Sequence, residues 1–493
     1  MEKIRELYKS TFDPATLKLV VAFAGSLIIY ILAFTLPANL LILYNRTALD
    51  GQLLQDVGAL AYLRMILAFS GLALLYFMGI QAASQTRTKA AWFIVISGIL
   101  AFILVLILMA PYDALDIYDN IFHGRIVGIY GGNPFRQLIM SFPNDPFYSF
   151  TRWKTDPSAY GPVWELLAGL TARLAGDGII ANILAFKLLP GLFHLASVVI
   201  VVLFLRRSAP EQTLSGMLLV GWNPVILYET WGNGHNDIAM VFWIVLAVFL
   251  INRRRYTLAT LSLVVGTLIK FIPVLLIPSA LLAGYCNTDN LRNRLWFLGQ
   301  TLLGGVLMTV AAYLVFWNGV ASLSINRRMQ MFSTSIPSII VNVLYQRLDF
   351  IESARIVSLS AFGLLVIFIV YELIRFKNRG RGRNFAQTAF NILAFYLMVT
   401  CLWFQQWYGI WLIGLAPMLP SRWRSLALLF GFWVLSKQFI FGPLIVPLIA
   451  LHPRRTGLWL EPILTMAVLG VPWIYVLLNV RISSKMKAAN YAA

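Results

Sequence analysis

The chain has 493 residues, of which 59% are hydrophobic and only 12% charged, and its mean hydropathy is +0.77. Soluble domains carry about 25% charged residues, so a water-soluble globular protein is excluded. The net charge of +19 would suit nucleic acid, but the basic residues fall mostly in short loops between apolar runs, the positive-inside pattern of a membrane protein.

Apolar runs of about 18 residues or more read as membrane-spanning helices. They are expected near residues 17–37, 58–82, 91–110, 179–205, 212–230, 237–252, 256–270, 272–285, 295–317, 353–375, 385–402, 407–420, 424–442 and 460–480. No ten-residue segments alternate with period two, which argues against an outer-membrane barrel. The first run lacks a small-residue cleavage site and reads as an uncleaved helix. The expected fold class is therefore an all-α polytopic membrane protein of about 14 spans.

With the N-terminus inside, the inner loops carry Arg87 and Lys89, Arg206 and Arg207, Arg253 to Arg255, Arg292 and Arg294, Arg375 to Arg383, Arg422 and Arg424, and Arg481 to Lys487. Every inner loop is then basic, which places both termini in the cytoplasm. Cys286 and Cys401 lie far apart and provide neither a disulfide framework nor a metal-ligand spacing.

The loop 111–178 then lies outside and is the longest. Its segment 160–170 is amphipathic, begins near Pro162 and is too short to span, so it is expected to lie in the membrane interface with Tyr148, Phe150 and Trp153. Asp113, Asp116, Asp119, His123 and Arg125 follow directly on the apolar run 91–110. Charged groups are costly inside a bilayer, so this cluster at its rim points to chemistry on a membrane substrate. Helix capping accounts for Asp113 alone. The others fall at helical spacing on one polar stripe, and a carboxylate there can serve as a general base.

Three further segments are candidates. Trp222-Asn223-Pro224 ends one helix, and Gly232 to Asp237, with Glu229 nearby, forms a Gly/Asn turn whose N–H groups suit an anionic headgroup. Its bland reading is an interhelical turn capped by Asp237. Lys270 in Lys270-Phe271-Ile272-Pro273 either snorkels to water or meets a lipid phosphate. Trp403 to Gly409 contains Gln405, Gln406, Trp407 and Tyr408, which suit sugar hydroxyls and pyranose faces as well as an ordinary aromatic belt. There is no Walker loop, dinucleotide fingerprint, His-Glu-x-x-His or serine elbow.

Taken together, the segments resemble the polyprenol-phosphate-mannose-dependent mannosyltransferases of glycosyltransferase family 87 and their relatives in the GT-C superfamily. The resemblance rests on Asp116-Ile117-Tyr118, Gly124-Arg125, Asn133-Pro134-Phe135, Tyr160-Gly161-Pro162, Asn223-Pro224, Gly232 to Asp237, Lys270 to Pro273 and Gln405 to Tyr408, and it covers roughly residues 90–425. It implies a GT-C helix bundle with juxtamembrane helices in the first large outer loop. It also implies an extracytoplasmic site in the plasma membrane and a polyprenyl-phosphate sugar donor. The family's base carries over to Asp116. His123 stands where relatives are often acidic, and Asp119 where they are often basic.

The expected organisation is an N-terminal two-span extension (1–90), a catalytic core (91–425) with its outer loop 111–178, and C-terminal spans (426–493). The expected activity is inverting transfer of a sugar, mannose by resemblance, to a lipid or glycan acceptor. A lipid-linked glycan ligase or polymerase is the alternative, and a transporter ranks below it. Asp113, Asp119 and His123 are expected to support Asp116. Arg125, Lys270, His235 and Asn236 are expected at the donor phosphate, and Tyr118, Asn133, Tyr160, Asp237, Gln406, Trp407 and Tyr408 at the sugar or acceptor. No cofactor, metal or nucleic acid is implied.

Overall fold

A computed structural model describes residues 13–42, 59–111, 116–319, 322, 328–380, 384–441, 443–444 and 453–492. The chain folds as two compact units, Met1–Ser324 and Ile325–Ala493. Among the described residues all extended regular structure is helical, with two isolated β-bridges, Asn39 to Met109 and Ser333 to Trp403.

In the first unit the helices are α1 (Pro14–Ile29, continued by a π turn, Tyr30–Thr35), α2 (Ala59–Gln85), α3 (Lys89–Leu106), α4 (Asp116–Gly128), α5 (Pro162–Ala175), α6 (Ile179–Ser208) and α7 (Thr213–Gly221). They are followed by α8 (Pro224–Leu227), α9 (Asp237–Asn252), α10 (Tyr256–Ile269), α11 (Ile277–Cys286) and α12 (Leu291–Tyr313). The second unit has α13 (Ile336–Leu344), α14 (Phe350–Asn378), α15 (Phe385–Phe395), α16 (Gly409–Ile413), α17 (Ser421–Trp433) and α18 (Pro453–Ala492).

The protein is an all-α polytopic membrane protein. Among the described residues, eight helices are long and apolar enough to cross a membrane: Pro14–Thr35, Leu60–Gln85, Lys89–Leu106, Ile179–Ser208, Leu291–Tyr313, Phe350–Asn378, Ser421–Phe441 and Trp459–Asn479. Four shorter apolar helices, Asp237–Asn252, Tyr256–Ile269, Ile272–Cys286 and Phe385–Thr400, account for four more of the expected runs. The remaining two runs are not continuous helices. The run 212–230 breaks at Trp222, where Pro224 lacks the N–H needed to continue α7 and starts α8 instead. The run 407–420 divides into a 3-10 turn, the five-residue α16 and a second 3-10 turn at Pro417.

The first two spans belong to the core of the first unit. α1 packs on α2 and α3, and α2 packs on α7. Tyr76 of α2 donates its hydroxyl hydrogen to the Leu219 carbonyl (2.6 Å) and accepts from Asn223 Nδ2 (3.0 Å). Asn223 Oδ1 caps α8 by accepting the N–H groups of Val225 and Ile226. The Trp222 indole donates to the Val95 carbonyl and fills the space over Gly98. The Trp-Asn-Pro motif is thus a joint between the first spans and the rest of the bundle.

Two more polar groups inside the bundle have structural partners. His194 accepts the Trp231 indole N–H on Nδ1 (3.0 Å), so the proton on Nε2 goes to the Val220 carbonyl (3.0 Å). Lys187 caps the end of α3 through the Met109 and Ile107 carbonyls. In the second unit, Glu372 of α14 ties to Arg375 (2.8 Å) and to Asn391 of α15 (3.1 Å).

Candidate active site

The site is built on α4. Asp116 and Asp119 occupy its first turn and Arg125 its last, each the sign that the helix dipole favours. α4 lies very close to α5. A Cβ added at Gly124 would stand 2.6 Å from the Ala168 carbonyl oxygen, and one at Gly128 2.0 Å from that of Gly169. The two glycines, one turn apart, therefore allow backbone-to-backbone contact, and α5 packs in turn on α6 and α10.

Two close approaches at glycines gather the other elements around the start of α4. The Gly161 N–H donates to the Ile269 carbonyl at the end of α10 (2.9 Å). A Cβ at Gly161 would lie 2.1 Å from the Leu268 oxygen. This places Tyr160 beside Lys270, whose Nζ is 5.8 Å from the Tyr160 ring centre. Gly234, at φ +77°, turns the chain before α9 so tightly against Ile117 that a Cβ would stand 2.5 Å from its Cδ1. Asp237 then begins α9 and accepts from Lys270 Nζ at 2.7 Å. Gly161→Ala should overpack this junction, at a cost of about 1–3 kcal/mol. The expected readout is a lower melting temperature in detergent together with loss of activity.

Asp116, Tyr160, Asp237 and Lys270 form one electrostatic group. Burial raises Asp116 to about 6. Lys270 and Arg152 restrain that rise, and the Asp237 charge adds to it. Asp116 as a residue is intermediate in exposure, unlike the buried residues that follow it on α4. Burial and the neighbouring carboxylates hold the Tyr160 phenol well above its ordinary range, so it remains a neutral hydrogen-bond donor. Asn120, one turn after Asp116, donates to the Asp116 carbonyl (2.8 Å), accepts from the Trp164 indole (2.7 Å) and also hydrogen-bonds toward Tyr160.

Asp119 is buried and has a different task. Its Oδ1 accepts the N–H groups of Arg152 and Trp153, both at 3.2 Å, and so fastens the incoming loop to α4. Burial and the Asp116 charge push Asp119 up to about 8, against the pull of those two N–H groups. Glu165, at the start of α5, is raised to about 8 by burial and accepts the Ser158 hydroxyl at 2.5 Å. His123 is buried with neither ring nitrogen hydrogen-bonded, and burial lowers it to about 4, leaving it neutral.

The other expected residues are distributed differently. Asp113 lies outside the described residues. Arg125, expected at a phosphate, is buried in a clamp instead. Its guanidinium donates to Asp145 (2.8 Å), the Gly176 carbonyl (2.9 Å) and Asp177 (2.8 Å), and stands over the Phe147 ring. Each of its three nitrogens donates to a group of the loop, joining α4 to the two ends of the loop, for which sequence spacing gave no signal. Tyr118 is buried and stacked on Phe150. Asn133 turns the chain by accepting from the Phe135 N–H and donating to the Phe316 carbonyl, both at 2.9 Å.

His235 Nε2 is 3.5 Å from Glu229 Oε2, and burial with the Lys270 charge lowers the imidazole to about 3. It therefore presents a neutral ring. Asn236 is buried beside it, with its Nδ2 lacking a hydrogen-bond partner. Gln406, Trp407 and Tyr408 belong to the second unit. There Gln406 donates to Gln438 (3.0 Å), Tyr408 stacks on Trp411, and Lys437 reaches the Gln405 side chain (3.1 Å). Arg152, Asn120 and Trp164 were missed by sequence reasoning. Asn120 and Trp164 fall at helical spacing from Asp116 and Tyr160 and were legible in principle, whereas Arg152 sits in a loop with no periodicity.

The arrangement offers a carboxylate of raised basicity, an ammonium held by a second carboxylate, and a neutral phenol, at the start of α4 and the facing ends of α9 and α10. Among the described residues no group of three or more His, Cys, Asp or Glu is placed to hold a metal ion. No curated protein and no solved structure matches the chain. The family model of the alpha-(1->6)-mannopyranosyltransferase N-terminal domain (MptA_B family), however, matches residues 19–285, more than half of the chain and the whole of α4 to α10 with the groups just described. The chain therefore belongs to this mannosyltransferase family, in keeping with the family 87, GT-C resemblance of its motifs.

Proposed function

We propose that the protein transfers a mannosyl group from a polyprenyl-phosphate donor to a hydroxyl of a lipid or glycan acceptor, with inversion, at the extracytoplasmic face of the cell membrane. The observation that carries this reading is the Asp116 carboxylate, raised by burial and under the charges of the Lys270–Asp237 pair. Asp116 takes the proton of the acceptor hydroxyl as its oxygen bonds to the anomeric carbon. The bond from that carbon to the phosphate oxygen breaks, leaving a polyprenyl monophosphate. Lys270 stands ready for the charge that grows on the leaving group, and such preorganised charge is a large source of rate. Asp237 keeps the ammonium in place, while Tyr160 supplies a neutral O–H.

The test is transfer of radiolabelled mannose by the purified protein from polyprenyl-phosphate mannose, with a nucleotide-linked mannose as the contrasting donor. Product from the lipid donor alone supports the reading, and product from the nucleotide alone ends it. The pH profile gives a second check. The base must be ionised, so kcat/KM should fall about tenfold per pH unit below about 6, where Asp116 takes up its proton. A rate that stays flat from pH 7 to pH 4.5 would exclude a carboxylate of this basicity.

A further inference from the structure

The segment from Arg152 to Gly161 is a strap pinned at both ends. At one end Asp119 holds the backbone of Arg152 and Trp153, and at the other the Gly161 N–H is held by the Ile269 carbonyl next to Lys270. Asp116 is one helical turn before Asp119. The strap thus ties Arg152 to α4 one turn from Asp116 at one end and sets Tyr160 beside Lys270 at the other. The Arg152 side chain is exposed, and Arg152 and Lys270 are the two cations whose charge bears on Asp116. The nearby cations are engaged elsewhere: Lys154 lies over the Tyr148 ring at 4.1 Å, and Arg125 is in its buried clamp.

The charge balance shows why a second cation matters. Asp116 and Asp237 bring two negative charges against the single charge of Lys270, with Glu229 buried behind His235, so a second cation favours a phosphate there. Arg152 brings the four groups to neutrality, and its planar fork matches phosphate oxygens in a way an ammonium does not. We propose that Arg152 is a phosphate-binding residue of this site, closing it over the donor phosphate opposite Lys270. The assignment rests on the polyprenyl-phosphate reading given above. Phosphate in this position has two sources, the donor or an anionic headgroup of the bilayer, and the test separates them.

Dodecyl phosphate serves as the probe, with binding to the full chain in neutral detergent followed by tryptophan fluorescence, since Trp153 and Trp164 flank the site. Arg152→Ala should weaken this binding and raise the donor KM roughly ten- to hundred-fold. The acceptor KM should not move, kcat should change less, and Arg152→Lys should recover part of the loss. The strap is anchored through the backbone N–H of residue 152, so truncating the side chain leaves its fastening intact. Equal binding of the probe by the parent and Arg152→Ala would overturn the assignment alone. A parent that binds no alkyl phosphate would overturn the polyprenyl-phosphate reading along with it. Donor KM is also compared in phosphatidylcholine vesicles with and without phosphatidylglycerol. If Arg152→Ala loses only the response to the anionic lipid, with donor KM unchanged, the residue contacts headgroups and the assignment fails.

Discussion

Asp116→Asn is expected to lower mannosyl transfer by about 10²- to 10⁴-fold, the usual range for loss of a positioned general base. The substitution preserves size and should leave the fold in place. The Asp116 main-chain carbonyl, not its side chain, receives the Asn120 amide. The variant should therefore melt with the parent and still bind an alkyl phosphate at Lys270. Asp119→Asn provides the contrast. An amide oxygen at 119 can still accept the N–H groups of Arg152 and Trp153, so the strap stays fastened and the expected loss is below tenfold. If the two variants exchanged these outcomes, the base would be Asp119 and Asp116 a bystander. Asp119→Ala, which removes the acceptor, should weaken donor and acceptor use together by releasing the strap.

The helix bundle was legible in the sequence because bilayer thickness imposes a minimum apolar length, and twelve of the expected runs fall on apolar helices among the described residues, eight of them long enough to span. What hydropathy cannot show is continuity. Pro224 and Pro417 interrupt two runs that average as apolar, and packing rather than composition decides where a broken helix resumes. The candidate site was legible to the extent that α4 is a regular helix. Asp116, Asp119 and His123 fall on one stripe by spacing, but spacing carries no information on depth. Asp116 is intermediate in exposure, Asp119 is buried and spent on two backbone N–H groups, and His123 is buried and neutral. Lys270 and Asp237 are 33 residues apart and meet because α9 and α10 are consecutive helices packed on each other, which brings the start of one beside the end of the other. Arg152 left no trace, since a loop residue is recognised by what its backbone is tied to.

Arg125→Leu should destabilise the protein more than any single change at the reacting groups. Arg125 and Asp145 are a desolvated pair, with side chains 2% and 0% exposed. Removing the cation leaves a buried carboxylate supported, among the described residues, by the Tyr130 hydroxyl (2.7 Å) and the Phe147 N–H (2.8 Å). Breaking a buried pair from one side costs about 3–5 kcal/mol, because the remaining charge has no water to return to. Asp177, the other ionic partner, is 80% exposed, so Asp177→Asn should cost at most about 1 kcal/mol. The loop between α4 and α5 should become open to proteolysis in Arg125→Leu, and transfer should fall because the strap loses its foundation. Arg125→Lys separates this structural role from phosphate binding. A point charge could still serve a phosphate, but one ammonium cannot span Asp145, the Gly176 carbonyl and Asp177, which the guanidinium reaches through three different nitrogens. The lysine variant should therefore melt early and lose the loop, while the protein that remains folded binds alkyl phosphate with the affinity of the parent. Parent-like melting with weakened phosphate binding would instead return Arg125 to the donor site, and the clamp would then be a secondary feature of the loop.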